Sequence, residues 1–140
     1  MMAMLFYRTA ASFKGKFNRS INENLGIPNV ESWLLHHGFQ LENRFHLKAY
    51  KMVNHLLSTL DILRDRGTFK EVAPLIQANI IQIGIDSDFF FVPDENRDTQ
   101  KQLDALQIPN TYKEIVSIHG HDGFLVENDQ LKNLLQDYFK

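Results

Sequence analysis

The sequence predicts an α/β fold built on a parallel sheet. Three observations carry this. Residues 78–85 (Ala78-Asn79-Ile80-Ile81-Gln82-Ile83-Gly84-Ile85) form a short, β-branched and nearly continuous apolar run, the mark of a strand covered on both faces. From there to the end the pattern alternates strand, loop, helix, strand, loop, helix, as a parallel sheet with crossover helices does. Finally, 140 residues, 44% hydrophobic and 23% charged, suit one soluble globular domain better than two.

The same arithmetic excludes several classes. Fifteen Lys+Arg against 17 Asp+Glu give a net charge of −2, with no basic footprint for nucleic acid and no acidic tail. No apolar run approaches the roughly 18 residues of a transmembrane helix. Neither nucleic acid nor a membrane is therefore an expected partner. Cys is absent, which removes disulfides, thiolate zinc sites and cysteine nucleophiles together, and is compatible with a reducing compartment.

Taken in chain order, residues 1–8 read as a short apolar helix. Residues 1–22 hold Arg8, Lys14, Lys16 and Arg19 and no acid. With Thr9, Ser12 and Ser20 this has the look of a transit peptide, or of a basic helix and loop on a folded surface. The apolar start at Met1 to Phe6 points either to targeting or to an element that continues upstream. Residues 9–29, with Gly15, Gly26, Pro28 and several Asn, read as an irregular connection. Val30 to Leu35 is short and apolar-rich, and His36-His37-Gly38 breaks it. Asn43 is placed to cap an amphipathic helix over 43–60, with Phe45, Ala49, Met52, Val53, Leu56, Leu57 and Leu60 at helical spacing. Residues 64–74 are polar and turn-like. After the strand at 78–85, Pro93-Asp94-Glu95 opens a helix over about 95–107, with Leu103 and Leu106 inward. Thr111 to Ile118 reads as a second strand and His119 to Gly123 as a Gly-punctuated loop. Leu131, Leu134, Leu135 and Tyr138 define a last helix, capped by Asn128 or Asp129.

Parallel α/β sheets carry their functional loops at the carboxyl ends of the strands. The first such loop holds Asp86 and Asp88, the second His119, His121 and Asp122. An acid after one strand and a His after the next is the order that closes the triad of α/β-hydrolases: the acid orients the imidazole, and the imidazole is general base to a nucleophile. Two plainer readings stand beside it. Asp after a strand is commonly a turn or cap residue, and His119-x-His121 with a nearby Asp is a weak metal-ligand pattern. The nucleophile is the gap. None of Ser12, Ser20, Ser32, Ser58, Ser87 and Ser117 lies in the G-x-S-x-G elbow that this chemistry requires.

These segments resemble a known family. Ile83-Gly84-Ile85-Asp86-Ser87-Asp88-Phe89-Phe90-Phe91-Val92-Pro93 is similar to the pattern I-x-I-x-S-D-x-L-F-P-P. Ser117-Ile118-His119-Gly120-His121-Asp122-Gly123-Phe124-Leu125-Val126-Glu127 is similar to S-x-x-G-H-D-A-F-L-x-E. Val30-Glu31-Ser32-Trp33-Leu34 with Gly38 and Arg44-Phe45 resembles V-E-S-Y-L…G…R-F, and Leu5-Phe6-Tyr7-Arg8 resembles L-T-Y-R. In this order, and over essentially the whole chain, these are the marks of the homoserine O-acetyltransferase family.

The resemblance implies the carboxyl-terminal part of an α/β-hydrolase fold: the last two parallel strands with their helices over 76–140, preceded by a helical lid-like segment over 1–75. It implies Asp88 as triad acid, His121 as triad base, Asp122 at the substrate amino group and Tyr7 lining the substrate site. The family's carboxylate-binding Arg would fall immediately before Met1, and its nucleophile motif further upstream. The implied reaction is ping-pong acetyl transfer from acetyl-CoA, a co-substrate, to the hydroxyl of L-homoserine in methionine biosynthesis. No permanently bound cofactor and no metal is implied; a cytoplasmic homodimer joined through lid helices is. Two departures, His46 for the Asp usual after R-F and the Phe89-to-Val92 run, bear on the shape of the pocket. The alternatives are an inactive fragment, a serine O-acetyl- or succinyltransferase of the same family, and a metal-binding or interaction module built on His119 and His121.

Overall fold

A computed structural model describes residues 2–139. In chain order the elements are α1 (Met2–Tyr7), α2 (Ala10–Phe17), β1 (Ile21–Asn22), β2 (Ile27–Pro28), α3 (Asn29–Arg44), α4 (Leu47–Thr59), α5 (Phe69–Val72), β3 (Ile80–Ile85), α6 (Pro93–Ala105), β4 (Asn110–Ile115), α7 (Gly123–Val126) and α8 (Asn128–Leu135), with 3₁₀ turns at Ala73–Leu75 and Gly120–Asp122. The chain is mixed α/β with a small parallel sheet, as expected. It divides into two compact units, residues 19–72 and residues 2–18 with 73–139. By packing, residues 2–18 group with the unit that holds the parallel sheet.

In the first unit β1 and β2 form a two-residue antiparallel ladder, Ile21 opposite Pro28 and Asn22 opposite Ile27. Asn22 Oδ1 accepts from the backbone N–H of Asn24 and of Leu25, both at 3.2 Å, and Gly26 at φ +65° closes the turn. α3 runs unbroken through His36-His37-Gly38, where a break was expected. An isolated glycine costs a helix only about 1 kcal/mol, and the Trp33 and His37 rings, one turn apart, lie edge to face at 4.2 Å. Because α3 extends to Arg44, Asn43 sits in its last turn and caps nothing; α4 starts at Leu47 after His46. The apolar stripe of α4 is present, and Met52, Val53, Leu56 and Leu57 along it are exposed. Residues 68–72, expected as a turn, hold a helical turn whose start is closed by Glu71 reaching back to Thr68. Glu71 Oε2 accepts from the Thr68 N–H at 2.7 Å and its hydroxyl at 2.9 Å, which holds the Glu71 carboxyl below its ordinary range.

In the second unit β3 and β4 pair in parallel, in register from Ile80 opposite Asn110 to Ile85 opposite Ile115. α6 crosses between them, opened by Pro93 at its first turn with Asp94 and Glu95 beside the positive end of its dipole. Strand periodicity then sorts the side chains. Glu114 meets Arg97 of α6 on one face; Lys113 reaches Leu134 O of α8 at 2.8 Å on the other. Leu103, Ile85, Ile108 and Ile115 form the buried core. Leu103 is inward as expected, and Leu106 is only half-buried.

Four further expectations are corrected. Residues 9–29 are not irregular: Thr9 caps α2, its hydroxyl accepting from the Ser12 N–H at 3.0 Å. β3 starts at Ile80 rather than 78 and ends at Ile85 as expected, and β4 runs Asn110–Ile115 rather than 111–118, giving way there to loop side chains. His119 to Gly123 is helical rather than a loop, the 3₁₀ turn at 120–122 leading into α7. α8 begins after Glu127, whose carbonyl accepts from Leu131, so neither Asn128 nor Asp129 is its cap. Among the described residues no helix is long and apolar enough to cross a membrane.

Gly84 and Tyr112 share one face of the sheet, and a Cβ on Gly84 would lie 2.6 Å from the Tyr112 hydroxyl. The bare glycine lets the ring lie down and be covered. Burial first, then the Glu114 carboxylate, pushes the Tyr112 phenol up to about 12. The unfolded chain gives up that proton near its ordinary value of about 10, so the folded state holds it longer. The stability this contributes is complete below about pH 10 and is lost as pH rises from there towards 12. Ultraviolet titration should show one of the four tyrosines ionising last, and Tyr112→Phe should remove that step and flatten the fall in urea midpoint above about pH 10.

Candidate active site

Beyond one more backbone bond, from the Asp86 N–H to Ile115 O at 3.1 Å, the carboxyl ends of β3 and β4 are laced together by side chains. Asp86 Oδ1 accepts from the Ser117 N–H at 2.9 Å. The Ser87 hydroxyl donates to Ser117 O and accepts from the Gly120 N–H at 3.1 Å. The Ser117 hydroxyl donates to Glu127 Oε1 at 2.9 Å and accepts from the His119 N–H at 3.1 Å. Ser117 is buried, and this network leaves both its backbone N–H and its hydroxyl satisfied.

Within that frame lies an acid–imidazole pair. Asp88 is 5% exposed. Its Oδ1 accepts from the backbone N–H of Phe90 at 2.7 Å and of Phe91 at 3.1 Å, and its Oδ2 meets His121 Nδ1 at 2.9 Å. Both carboxylate oxygens are engaged, so neither the acid nor the ring it faces is free to turn. With Nδ1 held by a carboxylate, Nε2 on the opposite edge of the ring is the atom left for proton transfer. The rings of Tyr7, Phe90, Phe91 and Phe124 stand around the imidazole, with centroids 5.3, 5.4, 5.3 and 5.7 Å away. Phe90, Phe91 and Phe124 are themselves exposed on their outer sides, so the rings flank the imidazole at the surface, while the buried end of the pair is Asp88.

All four residues predicted from the sequence therefore meet in the second unit. Asp88 and His121 are in direct contact, Tyr7 lies against the His121 ring, and Asp122 follows on the same 3₁₀ turn. Asp86, weighed beside Asp88, holds the backbone of the neighbouring loop instead. His119 does not share a site with His121, because its Nδ1 meets Ser12 Oγ at 2.8 Å. Among the described residues no three His, Cys, Asp or Glu side chains are placed to hold a metal ion.

Sequence reasoning missed what holds this turn from the other side. Arg8 Nε donates to Asp122 Oδ2 at 2.7 Å, the Thr9 hydroxyl donates to Ile118 O, and Ser12 meets His119. Residues 7–12 are thus a strap across residues 118–122. Gly120 sits beneath it at φ +65°, where a Cβ would come within 3.1 Å of Tyr7 O. The signal for Arg8 was present: it is the basic residue next to Tyr7 in Leu5-Phe6-Tyr7-Arg8. Its acidic partner is 114 residues away, beyond the reach of any local pattern.

No family model matches the chain. Curated proteins named homoserine O-acetyltransferase do match it, along nearly its whole length. The one from Salinibacter ruber is 38% identical, over 99% of this chain and 39% of the relative. Those from Cyclobacterium marinum and Chloroherpeton thalassium are 31% and 33% identical, over 99% and 100% of this chain and 38% and 36% of the relatives. The family resemblance carried by the four motifs is thus matched by homologues of that name, which are enzymes. The chain spans less than two fifths of their length, a share that fits one part of such an enzyme.

Gly120→Ala should test the seat of the strap. Alanine at a left-handed φ costs about 1 kcal/mol or more, and the Cβ crowds the Tyr7 carbonyl besides. We expect a loss of about 1–3 kcal/mol in urea unfolding, with faster amide exchange over residues 118–122.

Proposed function

We propose that this chain carries the acid and the base of a Ser–His–Asp acyltransferase that moves an acetyl group from acetyl-CoA to the hydroxyl of L-homoserine, a step of methionine biosynthesis. The observation that carries this reading is the Asp88–His121 pair, held at 2.9 Å with the acid buried and the ring walled by aromatics. The matching relatives' name supplies the substrate class.

In this reading His121 Nε2 takes the proton of a serine hydroxyl as the serine oxygen attacks the thioester carbonyl. The proton passes to the departing CoA sulfur, leaving an acetyl-serine. His121 next takes the proton of the homoserine hydroxyl as that oxygen attacks the acetyl carbon, and returns it to the serine. Asp88 remains ionised throughout and stabilises each imidazolium. Asp122 favours the substrate ammonium by a charge-assisted hydrogen bond.

The serine is not one of those in this unit. Ser12, Ser87 and Ser117 are all engaged in the bonds that build the loops, and no G-x-S-x-G occurs in the 140 residues. The nucleophile of this proposal, with its oxyanion hole, comes from sequence outside them. The helical unit over 19–72 takes the place of a lid, and the whole enzyme is a cytoplasmic homodimer.

Two measurements test the reading. The 140-residue chain should release no CoA from acetyl-CoA and homoserine. A chimera in which it replaces the matching part of the Salinibacter ruber relative should transfer acetyl to homoserine, and Asp88→Ala or His121→Ala should lower its kcat/KM by roughly 10³–10⁴-fold or more. Variants as fast as the parent chimera would overturn it.

A further inference from the structure

We propose that Arg8 is the positioning residue of the acceptor subsite, an inference that rests on Asp122 being the carboxylate that meets a substrate ammonium. Arg8 Nε holds Asp122 Oδ2 at 2.7 Å, with the two side chains only 19% and 13% exposed. Among the described residues no hydrogen bond falls on Asp122 Oδ1. One oxygen is pinned and the other stays open. A carboxylate held by one oxygen has its torsion fixed, so its open oxygen meets a ligand without first losing rotamer freedom.

The pinning group is itself fixed relative to the base. Tyr7 lies on the His121 ring at 5.3 Å, and the next residue, Arg8, pairs with the next residue, Asp122. One dipeptide therefore sets the other, base and ammonium subsite together, and Thr9 and Ser12 anchor it from behind. The guanidinium occupies Oδ2 and leaves Oδ1 as the carboxylate's free acceptor. What remains at Oδ1 is a directed acceptor, which favours a primary ammonium with N–H donors over a diffuse positive charge. Arg8 reaches the substrate only through Asp122.

The test is an NMR titration of the full chain, labelled with nitrogen-15, by three probes: L-homoserine, 3-amino-1-propanol, which lacks the carboxylate, and 4-hydroxybutyrate, which lacks the amine. Homoserine and 3-amino-1-propanol should move the Arg8 Nε–H signal and the amides of residues 120–123; 4-hydroxybutyrate should not. Arg8→Gln should weaken homoserine binding about tenfold, Arg8→Lys should recover part of it, and Asp122→Asn should abolish it. The proposal is overturned if no amine moves these signals in the parent, if 4-hydroxybutyrate moves them equally, or if Arg8→Gln binds as the parent does. Amides of β3 and β4 report the fold in each variant. Where Arg8→Gln disturbs them, Arg8→Lys decides, since binding equal to the parent overturns the proposal. Acyl transfer plays no part in this readout, so Arg8's role and the acyltransferase reading can fail separately.

Discussion

The site depends on one buried carboxylate. Asp88 is almost wholly out of water, and an ionised group there is tolerable only if its oxygens are met by donors. Two come from the backbone directly after it, at Phe90 and Phe91, and the third is the His121 ring. The first two require the chain to fold back tightly after β3; the third requires the turn after β4 to lie alongside. The parallel register that ends at Ile85 and Ile115 supplies that adjacency. Asp86, Ser87 and Ser117 then hold the two loops at the spacing the pair needs. The serines of the S-D and S-x-x-G-H-D segments are structural members of the frame, and the neighbouring Asp and His are what the frame presents.

Much of this was legible in the sequence because its signals are local. The apolar run at 80–85 followed at once by Asp-Ser-Asp marks a strand end and its polar loop, and the alternation with α6 implies that β4 returns in parallel beside it. Asp88 and His121 come together from that topology alone. What local patterns did not reveal has a common cause. Gly15 and the Asn-rich stretch concealed α2, whose start depends on a single Thr9 hydroxyl. Gly38 and Asn43 resembled a break and a cap, but α3 runs through both at modest cost. α4 has the periodicity of a core helix, yet periodicity states only that one face is apolar, not that anything in the same chain covers it. Arg8 was passed over because its partner lies at the other end of the sequence.

The division into units follows from the same long-range bonds. Residues 2–18 precede the helical unit in sequence, yet three polar contacts and the fit of Gly120 beneath the Tyr7 carbonyl bind them to the sheet unit. Composition could not have assigned them. Basic and free of acids, the segment looks detachable until Asp122 is seen to be the carboxylate that Arg8 meets. The ion pair is largely shielded from solvent. Removing either partner would leave the other poorly solvated, a larger effect than the loss of an exposed pair.

The strap and the acid–imidazole pair also differ in the length of chain each one closes. Asp88 and His121 are 33 residues apart, within one strand–helix–strand passage, whereas the strap's three bonds to residues 118–122 span 114, 109 and 107 residues. Closing the longer loop costs about 1 kcal/mol more in chain entropy. The acid–imidazole pair is therefore the less costly closure, made within the β3–α6–β4 passage, and the strap the more costly one, made across the whole of residues 19–72. Thr9 and Ser12 of the strap are themselves buried, so the strap belongs to the packed part of the unit and not to a fraying edge.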